Sequence, residues 1–344
     1  MKTFTAARLR ELIASIFVGT GAPADTADEV AAVLVDNNLA GHDSHGLLRV
    51  PEYVAAIREG AIAPTARPEV VRETPATAVV SGNWTFGQLA ANFAADVAIE
   101  KASAFGVAAV GLIDANHTGR LAAFTERGAQ RNVVMFMTSG SGAQFITTPY
   151  GGRQPALGTN PIAFTVPNGD AAAITLDYAT SAIAAGKIKV ARARGEQLPP
   201  GAIVTKDGSP TTEPEEFFNG GFLLPFGAHK GYALAVIAEL LSGALVGGGQ
   251  DGDATRRRTG VFIWAVHAGA FHSEARYREA VASTVTRLGS VPPAEGFEKV
   301  FVPGELEERS RSRRLREGIP VPDRTWQEIV RILEELGIRY DAPA

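Results

Sequence analysis

The chain of 344 residues contains no cysteine, which excludes disulfides, a thiol nucleophile and a cysteine-ligated zinc. That fits a reducing cytoplasm, where we expect the protein. It has no run of about 18 apolar residues, so no transmembrane helix is expected. The apolar stretch 12–18 is broken by Ser15, preceded by Glu11 and spaced as a helix rather than as an export signal. Positive charge is not in excess either. The net charge of −4 argues against a nucleic-acid partner held through phosphates. Basic runs occur at 256–258 and 309–316, and the second lies among glutamates, as a solvated face would.

What is present is an ordinary globular composition, 45% apolar and 20% charged, in a chain long enough for one large or two ordinary domains. Helical spacing marks the first 60 or so residues: Phe4, Leu9, Leu12, Ile13 and Ile16, then a helix N-capped by Asp25, then a segment after Gly46 through Val50, Val54 and Ile57. From about residue 70, short β-branched runs at 78–80, 107–113, 133–137, 162–166, 174–176 and 261–266 alternate with helices at 88–105 and 119–130. This predicts an α/β fold on a substantially parallel or mixed sheet. A long apolar helix is expected over 229–245, further helices over 273–288, 305–318 and 323–336, and a mobile loop over 247–252.

The densest polar cluster is Gly41-His-Asp-Ser-His-Gly46, followed by Arg49 and Tyr53. On one helix, His45, Arg49 and Tyr53 stand at i, i+4 and i+8 and share a face. A guanidinium holds a carboxylate through two parallel hydrogen bonds, and an imidazole gives a proton to a carbonyl oxygen as it is reduced. Ser44 is placed to orient substrate or relay a proton. His42 and His45 lack a third zinc ligand, and consecutive Ser, His and Asp cannot align as a hydrolase triad, so no metal and no serine hydrolase is expected.

A second cluster, Asn116-His-Thr-Gly-Arg120, follows an apolar strand and precedes a helix. His117 is a second acid/base candidate, and the backbone at Gly119 with Arg120 suits an anion. Turns at 157–161 and 177–181 and the His229-Lys230 helix start complete the set. Lys230 at a helix N-terminus is unfavourable unless an anion sits there. A G-x-G-x-x-G fingerprint is missing: neither Gly19-Thr-Gly21 nor Gly140-Ser-Gly142 has the third glycine, so a dinucleotide would need another arrangement.

Seven segments, LAGHDSHGLLRVPEY, NHTGRLAAF, LGTNPIAFTVP, DYATSAIAAGKI, LPPGAIVTKDGSPTT, HKGYALAVIAELLSGAL and VPGELEERSR, together resemble, in order and over most of the chain, the malate/L-lactate dehydrogenase family of the second, non-Rossmann type. Within it the likeness is greatest to hydroxycarboxylate dehydrogenases. The resemblance implies a mixed-sheet, non-Rossmann nicotinamide-binding α/β domain (71–289) and a helical domain formed by both termini (1–70 with 290–344), in a homodimer. It implies NADH or NADPH acting on a small 2-oxo or 2-hydroxy acid, with a cyclic-imine acid reductase and a catalytically inactive binding relative as alternatives. His45, with Ser44 in a relay, or His117 would be the proton donor. Arg49 and Thr159 would contact substrate, with Tyr53 beside them. Cofactor contacts would fall on Gly119, Arg120, Leu121, Ser141, Asp177, Tyr178, Ala179, His229, Lys230, Gly304 and Glu305. Two departures from the family pattern, Thr118 where an aromatic is common and Gly227-Ala228 before the His-Lys pair, touch the pocket wall. Arg192 and Arg194 would favour NADPH only if they lined the adenosine end. Trp264, His267 and His272 have no assigned role.

Overall fold

The computed structural model describes residues 2–140, 142, 144–169, 171–247 and 259–340. The chain opens with β1 (Lys2–Phe4), α1 (Ala6–Gly19), α2 (Ala24–Leu39) and, after two 3₁₀ turns, α3 (Val50–Arg58). There follow β2 (Glu69–Glu73), β3 (Thr77–Ser81), α4 (Gly87–Phe105), β4 (Val107–Ala115), α5 (Ala122–Ala129), β5 (Val133–Ser139), β6 (Ile162–Val166) and β7 (Ile174–Tyr178). A smaller section holds α6 (Ala185–Arg194), β8 (Ile203–Val204), β9 (Pro210–Thr211), α7 (Pro214–Phe218) and β10 (Phe222–Leu223). Then come α8 (His229–Glu239), β11 (Thr259–His267), α9 (Glu274–Gly289), α10 (Glu305–Glu317), β12 (Ile319–Val321) and α11 (Asp323–Glu335).

The two chain ends are tied by β1 and β12, which pair antiparallel with Phe4 opposite Ile319. Phe4 therefore belongs to a strand and not to the first helix. Thr5 is the cap that separates them, its side chain accepting from the Arg8 amide. The Phe4 ring packs 4.6 Å from that of Trp326 on α11. Around this contact Leu9, Ile13, Ile16, Val30, Leu34, Val50, Ile329 and Leu333 are buried together. Burying each such side chain contributes about 1.5–3 kcal/mol. Asp25 is not the cap of α2, which Pro23 begins. Asp25 sits in the first turn, where it accepts from the Thr26 amide and from Arg67.

A seven-stranded sheet runs in the order β2-β3-β4-β11-β5-β6-β7. It is mixed, and among the described residues only β3 and β4 pair parallel. The strand–helix alternation allowed a parallel or a mixed sheet, and the sheet is mixed because β11 arrives late in the chain and inserts antiparallel between β4 and β5. Its Val261, Ile263 and Ala265 face inward, beside Val110 and Leu112 of β4 and Met135 and Met137 of β5. Six alanines of α4 (Ala90, Ala91, Ala94, Ala95, Ala98 and Ala102) are fully buried over this face, and their small size lets the helix lie close to the sheet.

The second small sheet, order β10-β8-β9, has two-residue strands too short to show a period in the sequence, and it went unread there. The helix expected over 229–245 is α-helical only to Glu239 and widens to a π turn over Leu240–Leu245. Of the loop expected over 247–252, all but Gly247 lies outside the described residues.

Candidate active site

Three elements converge at the C-terminal end of β4. The first is the segment between α2 and α3. Asp43–His45 and Leu47–Arg49 form two 3₁₀ turns separated by Gly46, whose φ of −102° and ψ of −137° break the helical path. His45, Arg49 and Tyr53 therefore do not share a face of one helix. They are nonetheless gathered by hydrogen bonds. Arg49 Nε donates to the Ser44 carbonyl at 2.8 Å, and Ser44 Oγ lies 3.0 Å from His45 Nδ1. Asn37 Nδ2 donates to the His45 carbonyl at 3.0 Å, and the Leu47 amide donates to Asn38 Oδ1 at 2.8 Å. Gly46 has to be glycine here because a Cβ would stand 2.1 Å from Asn38 Oδ1.

The second element is the strand end 116–118. His117 stacks on His45 with ring centroids 5.8 Å apart and planes 19° from parallel. The buried Tyr53 hydroxyl is 2.9 Å from His117 Nδ1. Third is the start of α4, where the fully buried Gln88 donates through Nε2 to the Tyr53 oxygen at 2.7 Å and to the Thr118 carbonyl at 3.1 Å. Sequence reading missed Gln88, Asn37 and Asn38. Their signal was polarity out of place: Gln88 and Asn92 stand at i, i+4 on an alanine-rich, buried helix face.

The electrostatics follow from burial. Desolvation, then the neighbouring His117 and Arg49 charges, hold His45 well below the usual histidine range. Desolvation, with Arg49, brings His117 down to about 3. Burial pushes Tyr53 up, so its hydroxyl keeps its proton. The site thus presents a guanidinium beside two neutral imidazoles. Arg49 Nη1 also meets Glu52 at 2.6 Å, an exposed partner that a carboxylate ligand can replace.

The remaining residues singled out from sequence fall as follows. Gly119 adopts φ 92° just ahead of α5, whose Ala122 amide donates 2.7 Å to Asp177 Oδ2. The anion at this helix N-terminus is thus the chain's own carboxylate, its pKa raised by desolvation. Arg120 is buried and ion-paired with Glu126, and 3.8 Å from Asp36. Leu121 is buried, Tyr178 is exposed with its ring edge-on to Phe226 at 5.5 Å, and Ala179 follows at the end of β7.

The Thr159 carbonyl accepts from the Thr180 amide at 2.9 Å, joining the turns 157–161 and 177–181. The Phe226 amide donates to the Thr180 carbonyl at 3.0 Å, which brings the exposed His229 and Lys230 to the same edge. Gly304 caps α10 beside the Thr175 amide, which donates to Pro303 at 3.1 Å, while Glu305 is ion-paired with Lys299. Ser141 lies outside the described residues, as does the side chain of Arg194. Arg192 is occupied by Glu215 at 2.6 Å. Trp264 is half-exposed on β11, and His272 is exposed beyond its end. His267 follows Val266, which pairs with Val107 at the far end of β4 from His117. Among the described residues no group of three or more His, Asp or Glu is placed to hold a metal ion.

A guanidinium beside two neutral imidazoles, at the end of a mixed α/β sheet, is a group of side chains suited to acid/base work on a small anion. The family profile of malate/L-lactate dehydrogenase matches residues 4–330, and the chain belongs to that family. It is 35% identical to L-sulfolactate dehydrogenase of Methanocaldococcus jannaschii over 96% of each chain. The solved structure of that enzyme superposes with a TM-score of 0.90, at 33% identity and 98% coverage of both chains. It is also 35% identical to hydroxycarboxylate dehydrogenase B of Escherichia coli, over 97% of this chain and 94% of that one. The structure of Δ1-piperideine-2-carboxylate reductase from Pseudomonas syringae superposes with a TM-score of 0.83, at 31% identity, covering 96% of this chain and all of the other. The protein is an oxidoreductase acting on the CH–OH group of 2-hydroxy acids, a class that implies a nicotinamide cofactor.

Proposed function

We propose that the enzyme interconverts a small 2-hydroxy acid and its 2-oxo acid with NADH or NADPH, in the cytoplasm and as a homodimer. The observation that carries this reading is the grouping of Arg49 with the stacked His45 and His117. Arg49 holds the substrate carboxylate, exchanging its exposed Glu52 contact for a buried one. Tyr53 and Thr159 border the substrate. The two imidazoles flank the substrate's reacting oxygen, and one of them moves the proton, with Ser44 on His45 Nδ1 as its relay. Because the imidazole that moves the proton is neutral in the free protein, it is ready to accept one from an alcohol. In the reverse direction the proton must be taken up together with the substrate's negative charge.

Fit to a nicotinamide nucleotide is supported at Gly119. A Cβ there would fill a cradle 3.6 Å from Asn37 Nδ2 and Gln88 Nε2, and the buried Asn37 Oδ1 and Arg120 Nε beside it lack partners. When bound, the reduced nicotinamide supplies the hydride for the α-carbon. Gly119, Arg120, Leu121, Ser141, Asp177, Tyr178, Ala179, His229, Lys230, Gly304 and Glu305 would hold it. The division into a terminal helical domain (1–70 with 290–344) and an α/β domain (71–289) belongs to the same reading. It is supported by two clusters of buried side chains, one drawn from both chain ends together with Phe86 and Leu89, the other from the sheet and α4. The homodimer is supported by apolar side chains left exposed on α8 and in the adjoining π turn, Ile237, Leu240 and Leu245.

Absorbance of the reduced nicotinamide, followed with NADH or NADPH and pyruvate, oxaloacetate, phenylpyruvate, sulfopyruvate and the cyclic imine acids, tests this directly. Oxidation with a 2-oxo acid is expected. Turnover of only the cyclic imines would favour the second reading, which the likeness to the piperideine-2-carboxylate reductase supports. Absence of both turnover and nucleotide binding would leave a binding protein.

A further inference from the structure

We propose that Gln88 and Tyr53 lock His117 as a neutral imidazole with its proton on Nε2, so that His117 donates a hydrogen bond to the substrate's reacting oxygen and leaves proton transfer to His45. The inference rests on the functional reading above and deepens it.

The argument is one of donors and acceptors. Gln88 Nε2 lies 3.1 Å from the Thr118 carbonyl and 3.3 Å from that of His117. Carbonyls only accept, so this end of the side chain is the NH₂. The opposite orientation would set the amide oxygen against two carbonyl oxygens. An amide nitrogen cannot accept, so the Tyr53 oxygen at 2.7 Å accepts from it. Tyr53 keeps its own hydrogen to give, and the acceptor within reach is His117 Nδ1 at 2.9 Å, with the His117 carbonyl farther off at 3.5 Å. Nδ1 thus accepts, and the ring's one proton sits on Nε2.

Position agrees with this polarity. The Nδ1 edge faces Tyr53 and Gln88, both buried, while His117 itself is only half-buried, which on the functional reading above leaves its other edge for the substrate. Gly87 makes the approach possible, since a Cβ there would stand 2.3 Å from the His117 carbonyl. The titratable groups facing the ring are His45, Arg49 and Tyr53. None is an anion, and burial with the Arg49 charge keeps the ring neutral, its pKa about 3.

His45 is held differently. Its Nδ1 meets the Ser44 hydroxyl at 3.0 Å, a group that both donates and accepts. Ser44 can rotate as a proton arrives or leaves, so His45 can change state where His117 cannot. Gln88 and Tyr53 are positioning residues in this scheme, acting on substrate through His117.

The test is two-bond ¹⁵N–¹H correlation on ligand-free protein with ¹⁵N-labelled imidazoles, His117 being assigned from a His117→Gln sample. We expect the Nε2–H tautomer for His117, unchanged between pH 5.5 and 8. Tyr53→Phe and Gln88→Met should each replace it with a tautomer mixture. Both should lower kcat roughly 10²-fold, the scale of losing one preorganised donor, with KM nearly constant in Gln88→Met, whose side chain stands behind Tyr53. Circular dichroism identifies a variant that fails to fold, and the wild-type spectrum stands regardless. An Nδ1–H signal, titration near the ordinary histidine pKa, or an unchanged His117 signal in Tyr53→Phe would overturn the proposal. Because the spectrum needs no substrate, failure of every 2-oxo acid to react would strike the functional reading instead.

Discussion

Arg314 and Asp43, 271 positions apart, are joined by two hydrogen bonds, Nη1 to Oδ1 at 2.5 Å and Nη2 to Oδ2 at 3.0 Å. Nη1 also donates to the Asn38 carbonyl at 2.5 Å, and Asn38 Nδ2 donates to Asp43 Oδ1 at 2.6 Å. Helix α10 therefore grips the residue before Ser44 and His45, so that a C-terminal helix holds the N-terminal turn that carries them in place. His42, 3.5 Å from Glu307 on the same helix, adds a second contact.

Removing this grip should loosen the turn. Arg314→Met is expected to cost about 2 kcal/mol, below the 3–5 kcal/mol of a fully buried pair because Asp43 is partly solvated. Asp43→Asn combined with Arg314→Met should cost less than the sum of the two single changes. Urea unfolding of the four proteins measures the coupling, and strict additivity would show that the pair does not act as a unit.

Arg49 is assigned to the substrate carboxylate. Arg49→Lys keeps the charge but loses the planar fork, so KM for the 2-oxo acid should rise about 10- to 100-fold with a smaller change in kcat. Steady-state kinetics decide it. An unchanged KM would mean the carboxylate is held elsewhere.

Stability should depend on pH through the two imidazoles. In the folded protein His117 is held to about 3 and His45 well below its usual value, while in the unfolded chain both titrate near 6.5. Below that pH the unfolded chain binds protons the folded chain refuses. Stability is therefore complete above about pH 6.5 and falls as the pH drops toward the folded values. The slope is at most about 1.4 kcal/mol per pH unit for each ring, less where cleft water reaches it. Urea midpoints at pH 5 and 7.5 should differ in this sense, and His117→Gln should narrow the gap. A gap of the same width in the variant would assign the effect to other groups.

Ala228, just ahead of His229, has φ 55° and ψ −120°, a region natural to glycine. Ala228→Gly should relieve that strain, adding about 1 kcal/mol of stability and raising the melting temperature by a few degrees. Differential scanning calorimetry reads the shift, and a fall would show that the methyl group packs usefully despite its backbone.

Much of this architecture was legible in the residues. Apolar periodicity located α4, β4, β5, β6, β11 and α11 to within a few positions, because a buried face repeats every 3.6 or 2 residues whatever it packs against. Ser44, His45 and Arg49 stood out because they are neighbours in the chain. Chain direction within the sheet was not legible, since a period of two is the same for a parallel and an antiparallel neighbour.

Sequence alone thus determined most of the longer helices and strands and a short run of reactive side chains. Tertiary structure decided which of them meet. Tyr53 reaches His117 across 64 positions, Gln88 stands behind Tyr53, and Arg314 closes on Asp43 from the other end of the chain. Those contacts depend on how β11 enters the sheet and how β12 finds β1. Local pattern carries no record of such pairings, because the hydrogen bonds and buried area that favour them exist only once distant segments have come together.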